Sequence, residues 1–375
     1  MGRSVKRSED ARLLAGRGRF VENIPIQGAL RAVFVRSMMP HARFNAIDTS
    51  TALAMPGVEA VFTAGDLGLA RQPVSGVVPD AFNRPVLAEG AARYVGEPIA
   101  VLVAQTRAQA EDAAEAVLVD YEPLPAVTDA GIALGPTAPT IFREHGSNLA
   151  HSFEEGCDSD TLEGAEVVVR GRFVNQRLAP VPLETNACAA VPEDGGLTVW
   201  VSTQIPFDVR SDICDALDLP KSKVRVIAPD VGGAFGSKLT VYPEYLAVAA
   251  IAMRLRKPVR WSETRSESMV SLTHARAGAV RRDRREAQWR PCRTARGCRR
   301  RHGRVPGGGI SALSDARDGL RPVRDPAGSV PREVRGDERD AGRSVPRRRQ
   351  TGGHGAHRTR DGPARRRAAD GSGRT

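Results

Sequence analysis

The stretch that decides the fold is residues 223–238, which read KVRVIAPDVGGAFGSK. Its first half alternates apolar and polar residues, with the apolar positions at Val224, Val226 and Ala228. This alternation predicts a strand that enters a core. After Pro229 the chain continues into residues 232–236, where glycines leave backbone N–H groups free to approach a ligand closely. Both a turn between a strand and a helix and a ligand-binding loop fit this pattern.

The loop differs from the common phosphate-binding loops. Ser237 separates Gly236 from Lys238, whereas a P-loop needs Gly and Lys in direct succession, and the stretch contains no G-x-G-x-x-G. Phe235 is a large aromatic residue inside a loop, so its side chain must either be buried or face something. We therefore expect a ligand other than a P-loop nucleotide.

The basic character of the chain is confined to its last hundred residues. The 375 residues carry a formal net charge of +11. Residues 1–274 have 27 basic and 33 acidic residues, a net of −6, whereas residues 275–375 have 28 Arg, no Lys and 11 acidic residues, a net of +17. The length predicts two or three domains, and the change in charge predicts a boundary near residue 275.

Other features of the whole chain exclude several protein classes. The five cysteines are widely spaced without a C-x-x-C pair, so we predict neither a disulfide framework nor a zinc or iron–sulfur site. The longest apolar run, residues 246–253, is too short for a membrane span, and the N-terminus lacks the apolar segment of a signal peptide. We expect a soluble cytoplasmic protein in a reducing compartment.

Residues 1–18 are predicted to form an N-terminal arm, and residues 19–130 a compact α+β domain. Strands are predicted over residues 29–37, 57–63, 98–104 and 117–121. Thr106 and Gln109 form a capping box for a helix over residues 107–117. A polar connection over residues 131–164 predicts a linker.

Residues 165–274 are predicted to form part of a second domain. Strands are expected over residues 167–174 and 197–203, with an irregular segment over 178–190 between them. Helices are expected over residues 206–217 and 241–256, the second packing one face inward, and a strand resumes at 259–261.

Several motifs of the first domain resemble one known family. R-Y-V-G-E-P-I-A-V-L-V-A at residues 93–104 and V-D-Y-E-P-L-P at residues 119–125 resemble the α/β hammerhead domain of molybdenum hydroxylases. This is the xanthine dehydrogenase and aldehyde oxidase family, here of the carbon monoxide dehydrogenase large-subunit type. R-S-E-D-A-R-L-L-A-G-R-G-R-F at residues 7–20 is similar to the start of its bacterial large subunits.

The second domain resembles the same family. P-L-E-T-N-A at residues 182–187, V-S-T-Q-I-P at 201–206 and D-V-G-G-A-F-G-S-K at 230–238 resemble the first part of its molybdopterin-binding domain. The resemblance implies an α+β fold, in which a hammerhead domain is followed by an incomplete molybdopterin-binding domain. The Arg-rich tail over residues 275–375 has too few apolar residues to form a core and is predicted to be disordered.

The resemblance also implies the chemistry. Members oxidise a small substrate with water-derived oxygen at a molybdenum centre held by molybdopterin, here expected as the cytosine dinucleotide. Electrons leave through 2Fe–2S clusters and FAD, which implies an FAD-binding medium subunit and a 2Fe–2S small subunit as partners. The family's pterin, rather than the chain, holds the metal.

The resemblance assigns the cofactor-binding residues. Gln204 matches the family's glutamine near the apical molybdenum oxygen, where a neutral amide can donate a hydrogen bond without adding charge. Gly233, Ala234, Phe235 and Gly236 match the loop beside the pterin and the metal. Without the resemblance, Gln204 also fits a strand-end side chain that bonds local backbone.

Two residues depart from the family pattern. Leu239 stands where xanthine dehydrogenases carry a substrate-binding glutamate, which argues against a purine substrate. Asn186 replaces the usual arginine of P-L-E-T-N-A, which puts the local packing or charge pairing in question.

The family pattern stops near His274. The following residues are rich in Arg, Gly, Ala and Pro, the residues of GC-only codons, which is typical of a GC-rich gene read out of frame. Residues 345–354 (VPRRRQTGGH) can be encoded by bases that, shifted by one position, give nearly Tyr-Arg-Gly-Ala-Gly-Arg-Pro-Glu-Ala-Thr, which resembles the family's active-site loop. We predict a frameshift between about residues 276 and 285.

The sequence thus predicts a molybdenum hydroxylase large subunit that acts on an aldehyde, a carbon monoxide-like or another small substrate. Because the family's catalytic glutamate falls in the part without resemblance, we name no catalytic residue and predict that the chain as written is inactive. The alternative is a nucleic-acid-binding protein that acts through the Arg-rich tail.

Overall fold

The computed structural model describes residues 5–74, 76–129, 131–155, 178–272 and 300–303. Its main element is a seven-stranded mixed sheet, whose strands are β1 (Leu30–Arg36), β3 (Val58–Thr63), β5 (Pro98–Ala104), β8 (Ala187–Glu193), β9 (Gly196–Val201), β10 (Val224–Ile227) and β11 (Val259–Ser262). Their order is β10-β9-β8-β11-β1-β5-β3. Strands from residues 30–104 and from residues 187–262 therefore share one sheet.

Two smaller sheets accompany it. One contains β2 (Ala42–Asp48), β4 (Ala91–Ala92) and β6 (Leu118–Pro123), and the other pairs β7 (Ser152–Glu155) with β12 (Arg300–Gly303). The helices are α1 (Asp10–Leu14), α2 (Ser50–Leu53), α3 (Ala64–Leu67), α4 (Arg107–Glu115), α5 (Pro206–Leu217), α6 (Pro243–Leu255) and α7 (Arg265–Ser271).

The two halves of the main sheet meet where β1 pairs with β11. These strands run parallel, with Leu30 opposite Val259, while β1 pairs antiparallel with β5 on its other side. The core crosses this line, since the ring of Phe34 on β1 packs edge-on against Trp261 on β11 at 5.5 Å between centroids. Burial of such aromatic pairs stabilises the join beyond its backbone hydrogen bonds.

A buried ionic group, the junction cluster (Arg36, Glu244 and Glu267), ties the same two halves together. Arg36 on β1 donates to Glu244 on α6 at 2.7 Å and to Glu267 on α7 at 3.0 Å. The side chain of Arg36 is 8% exposed and that of Glu244 is 3% exposed. Gly96 lets α7 approach closely, because a Cβ there would lie 2.9 Å from the backbone of Val270.

Most predicted elements occur where the sequence pattern places them. β5 and α5 have the predicted bounds, and the side-chain oxygen of Thr106 accepts a hydrogen bond from Gln109 N at the start of α4. The strand predicted over residues 167–174 lies outside the described residues.

Three local features differ from the expectation. The sequence pattern does not predict β2, because its residues are mostly exposed and carry little apolar signal. β8 occupies part of the segment predicted as irregular, because backbone pairing with β9 and β11 overrides its Pro-flanked sequence. α6 is buried on all sides from Pro243 to Ala252, rather than on one face, because it packs on the sheet and on α5.

The described part of the predicted linker is packed. Ile141, Phe142 and Ala150 form an apolar cluster with Val78 and Phe82. The side chain of Asn148 is buried beside them, donating to Ala133 O and Pro139 O and accepting from Ile141 N. Residues 131–155 thus share a small core with Val78 and Phe82. In the described residues, no helix is long and apolar enough to cross a membrane.

Candidate functional site

The glycine-rich loop leaves the main sheet at the end of β10, an edge strand. The backbone takes left-handed conformations at Gly233 (φ 100°), Phe235 (φ 53°) and Gly236 (φ 86°). A non-glycine residue pays a conformational cost at positive φ, and Phe235 pays it while its side chain is 72% exposed. The loop therefore holds this ring toward solvent rather than in the core.

The tip of the loop offers unused backbone donors. Within the part of the chain that the structure describes, no acceptor pairs with the backbone N–H groups of Gly233, Ala234, Phe235 and Gly236. The next two hydrogen bonds belong to the following turn, in which Ser237 N and Ser237 Oγ both donate to Ala234 O. Consecutive free N–H groups in a turn conformation form a concavity suited to oxygen-rich or anionic ligands.

Glu184 holds the start of this loop against the segment that precedes β8. Gly232 N donates to Glu184 Oε2 at 2.7 Å, and Glu184 N donates back to Gly232 O at 3.1 Å. A Cβ at position 232 would lie 2.5 Å from the Cβ of Glu184. Only glycine permits this approach, so Gly232 is required for packing rather than for its own dihedral angles.

Lys238 anchors the end of the loop from inside the protein. Its side chain is fully buried and donates to Ser202 Oγ at 2.7 Å, to Glu184 O at 3.0 Å and to Glu184 Oε2 at 3.2 Å. Ser202 Oγ in turn donates to Glu184 Oε2 at 2.6 Å. We call Glu184, Ser202 and Lys238 the loop-base cluster.

The charges of the loop-base cluster are held by mutual contact. Burial lowers the pKa of Lys238, and the neighbouring Glu184 carboxylate opposes that shift. Glu184 Oε1 is buried without a hydrogen-bond partner among the described residues. The buried ammonium of Lys238 needs the neighbouring Glu184 carboxylate, because desolvation of an isolated charge is costly.

Gln204 lies beside the end of the loop. Its backbone N–H donates to Lys238 O at 3.1 Å, and Thr203 Oγ1 contacts the same oxygen at 3.3 Å. Its side chain is exposed, as expected for a group that has a ligand rather than the core as its partner. The structure thus brings the predicted residues Gln204, Gly233, Ala234, Phe235 and Gly236 into one region.

The two residues that depart from the family pattern have different surroundings. Leu239 follows the loop and is half exposed. Asn186 is fully buried, and its Nδ2 has no partner among the described residues. Asn186 N donates to Glu263 Oε2 at 3.2 Å, and burial, reinforced by the negative charge of Glu244, raises the pKa of Glu263 to about 7.

Sequence reasoning missed Glu184 and Ser202 as functional residues. Both lie in motifs that carry the resemblance, but their partners Gly232 and Lys238 are 48 and 36 residues away along the chain. The signal that could have indicated them is the single glutamate of P-L-E-T-N-A together with the single lysine of D-V-G-G-A-F-G-S-K.

The described residues contain no group of three or more His, Cys, Asp and Glu side chains that could hold a metal ion. The donors that are present are backbone N–H groups and one exposed amide. This set fits a cofactor that brings its own metal ligands and offers oxygen atoms, as a pterin with phosphate and oxo groups does. A built metal cage is not needed for such a ligand.

Two family models match the chain. Residues 15–125 match the aldehyde oxidase and xanthine dehydrogenase a/b hammerhead domain, and residues 141–282 match the molybdopterin cofactor-binding domain. The loop, Gln204 and the loop-base cluster all fall within the second match.

Curated relatives and a solved structure indicate the same family as the two family models. The chain is 38% identical over 286 residues to the nicotine 6-hydroxylase large subunit of Paenarthrobacter nicotinovorans, covering 73% of this chain and 35% of that protein. It is 38% identical over 298 residues to the carbon monoxide dehydrogenase large chain of Afipia carboxidovorans, covering 74% and 36%. The crystal structure of quinoline 2-oxidoreductase from Pseudomonas putida 86 matches with 38% identity and a TM-score of 0.67, covering 73% and 36%. The chain spans about a third of the length of these relatives.

Proposed function

The chain belongs to the molybdopterin-dependent xanthine dehydrogenase and aldehyde oxidase family, and from this premise we propose that residues 5–272 provide one wall of a molybdopterin site. The complete protein would be the large subunit of an oxidoreductase for a small substrate. The observation that carries the proposal is the row of four free backbone N–H groups at Gly233–Gly236, in a loop whose end is bonded to Gln204 through Lys238 O, with the residue Gln204 itself exposed.

In this proposal the residues of the chain bind and orient the cofactor. The bound molybdenum cofactor supplies the oxidation chemistry. The N–H groups of residues 233–236 donate to its oxygen atoms, and the Gln204 amide donates a hydrogen bond without bringing a charge. The exposed Phe235 ring would shield a ligand bound at this loop from water.

The finer points of the assignment rest on the relatives. We propose separate FAD-binding and 2Fe–2S subunits, because the named relatives are a large subunit and a large chain. The cytosine dinucleotide form of the cofactor is proposed from the motif resemblance alone. For the substrate we propose an aldehyde, a carbon monoxide-like or another small molecule. The apolar, half-exposed Leu239 argues against a purine, which needs polar partners at that position.

We also propose that the chain is encoded out of frame from about residue 276–285 onward. The composition of residues 275–375 supports this, and the match to the molybdopterin-binding model extends to residue 282. Translation of the gene shifted by one base should restore the family pattern through residue 375. Early stop codons in that frame, or specific DNA binding by residues 275–375, would favour the nucleic-acid alternative instead.

Cofactor binding is tested with a glycine pair. The chain, with and without an in-frame continuation, is produced in cells that make molybdopterin, and molybdenum and pterin are measured per chain. Gly232→Ala should abolish retention, because its Cβ meets Glu184 at 2.5 Å, whereas Gly76→Ala has open space around its Cβ and should retain the wild-type content. Absence of pterin from every wild-type form would contradict the proposal.

A further inference from the structure

The N-terminal arm together with Arg19 and Phe20 (residues 5–20, hereafter the arm) contacts the glycine-rich loop directly. Arg12 on α1 donates two hydrogen bonds to Asp230, from Nη1 to Oδ2 at 2.5 Å and from Nη2 to Oδ1 at 2.7 Å. Asp230 lies two residues before Gly232. A bidentate guanidinium–carboxylate pair fixes both distance and orientation, so the arm sets where the loop begins.

Backbone contacts reinforce this pair. Arg19 N donates to Asp230 Oδ2 at 2.7 Å, and Asp230 N donates to Arg19 O at 3.0 Å. The guanidinium of Arg12, with the amide of Arg19, holds the pKa of Asp230 at about 2. The carboxylate therefore stays ionised, and able to pair with Arg12, at any pH well above that value.

The arm also packs on the glycine that Glu184 holds from the other side. A Cβ at position 232 would lie 3.4 Å from Cε1 of Phe20, as well as 2.5 Å from Glu184 Cβ. Gly232 is thus clasped between the Phe20 ring and Glu184. The arm is braced internally, since Arg12 Nη1 also donates to Arg17 O at 3.2 Å and Asn23 Nδ2 donates to Gly18 O at 3.2 Å.

We propose that Arg12 and Asp230 are positioning residues, through which the arm holds the free N–H groups of residues 233–236 in the geometry that receives the ligand. The claim about loop geometry stands on these contacts alone, and its consequence for the cofactor rests on the proposed function. Neither residue touches the ligand. The chain needs this second support because the loop follows an edge strand and carries three left-handed residues in a row of four.

Hydrogen exchange of the full chain without cofactor tests the geometry. Arg12→Gln should speed exchange at Asp230 N–H, which the arm covers, and at Gly232 N–H, which Glu184 covers, by about tenfold, the effect of one lost charge-assisted hydrogen bond. The amides of β8 and β9 should be unchanged. Arg12→Lys should give an intermediate rate, because lysine keeps the positive charge but cannot form the two parallel hydrogen bonds of the guanidinium.

Two controls sharpen the test. Arg7→Gln removes a guanidinium from the same arm whose ionic partners among the described residues are Glu9 and Asp10, and should leave loop exchange unchanged. The combination Arg12→Gln/Asp230→Asn should speed exchange no more than the larger single effect, because both changes remove one interaction. Faster exchange at Asp230 N–H with unchanged Gly232 N–H would overturn the proposal, since the arm would then detach without moving the loop.

Pterin content separates this proposal from the cofactor assignment. In a wild-type form that retains pterin, Arg12→Gln should lower the retained amount about tenfold and Arg7→Gln should not. Equal retention by Arg12→Gln and wild type would overturn the positioning role and leave the cofactor assignment intact. Loop exchange that responds to Arg12→Gln in a chain that never binds pterin would refute the cofactor assignment alone.

Discussion

The junction cluster and the loop-base cluster both bury charged groups, but they join different things. The junction cluster (Arg36, Glu244 and Glu267) connects three regular elements, β1, α6 and α7. The loop-base cluster connects a loop to the segment before β8 and to the end of β9, and four uncovered N–H groups lie next to it. The junction cluster fixes how the two halves of the main sheet meet. The loop-base cluster binds the glycine-rich loop, whose backbone lies outside any helix or strand.

The difference shows what buried charge does in each place. Replacing a buried ion pair by apolar residues is often neutral for stability, whereas removing one partner is costly. At the junction, apolar residues could in principle do the same work. At the loop base they could not, because Gly232 N–H needs an acceptor and Glu184 provides it.

The largest effect is expected at the junction cluster. Arg36→Met leaves Glu244, with a 3% exposed side chain, without its cation and should lower the free energy of unfolding by about 3–5 kcal/mol. Urea denaturation followed by fluorescence of the buried Trp261 measures it. The combination Arg36→Met/Glu244→Leu should recover much of the loss, and no recovery would contradict the assignment of the cost to an unpaired charge.

A substitution in the loop-base cluster should lower the free energy of unfolding slightly less than Arg36→Met does, because the side chain of Glu184 is 15% exposed. Glu184→Gln keeps the side-chain shape but removes the charge that opposes the lowered pKa of Lys238, and should cost about 3 kcal/mol. In a double-mutant cycle with Lys238→Met, the coupling free energy should be about 1–3 kcal/mol. Additive effects would mean that the two side chains act independently.

The pH dependence of stability should distinguish a third buried group, Glu263. Burial raises its pKa to about 7, above the value of an unfolded glutamate, so the native state holds this proton more tightly. Its favourable contribution is complete below about pH 4 and is lost as pH rises through about 7. Glu263→Gln should reduce the fall in stability between these values by about 2 kcal/mol, measured as urea midpoints at pH 5 and pH 8.

Glu97 gives a cross-check on that prediction, because burial also raises its pKa to about 7. The variant Glu263→Gln should therefore retain part of the pH dependence, and Glu97→Gln added to it should remove more. A pH profile that is the same in wild type and both variants would show that neither carboxyl changes protonation on unfolding in this range.

The smallest effect is expected at an exposed ion pair that links the same two halves of the molecule. Lys257 donates to Glu59 on β3 at 2.8 Å, and its side chain is 50% exposed. Lys257→Met removes one charge, as Arg36→Met does, yet should cost less than about 1 kcal/mol because water screens the pair. Similar losses in the two variants would contradict the view that burial, rather than charge number, sets the effect.

The local elements could largely be predicted from the sequence. β5 and α5 have their predicted bounds, because a continuous apolar run and a proline at the first helical position are strong local signals. β2 and β8 could not, because backbone pairing with strands far along the chain decides them. The all-round burial of α6 likewise depends on what packs against it.

The candidate site divides in the same way. Residues 233–236 and Gln204 were indicated by a glycine-rich sequence and by motif resemblance, and the structure brings them into one region. The residues that support them were not indicated, since Glu184, Ser202 and Arg12 act on Gly232, Lys238 and Asp230, which are 48, 36 and 218 residues away.

The family, the glycine-rich loop after β10 and the change of composition near residue 275 can be predicted from the sequence, because each rests on residues that are close together along the chain. The folded chain is needed to show that one sheet joins both matched segments and that the loop is contacted by Glu184 and, through Asp230, by Arg12. A carboxylate in a sequence is only a charge. Folding selects which guanidinium, ammonium or backbone N–H it meets.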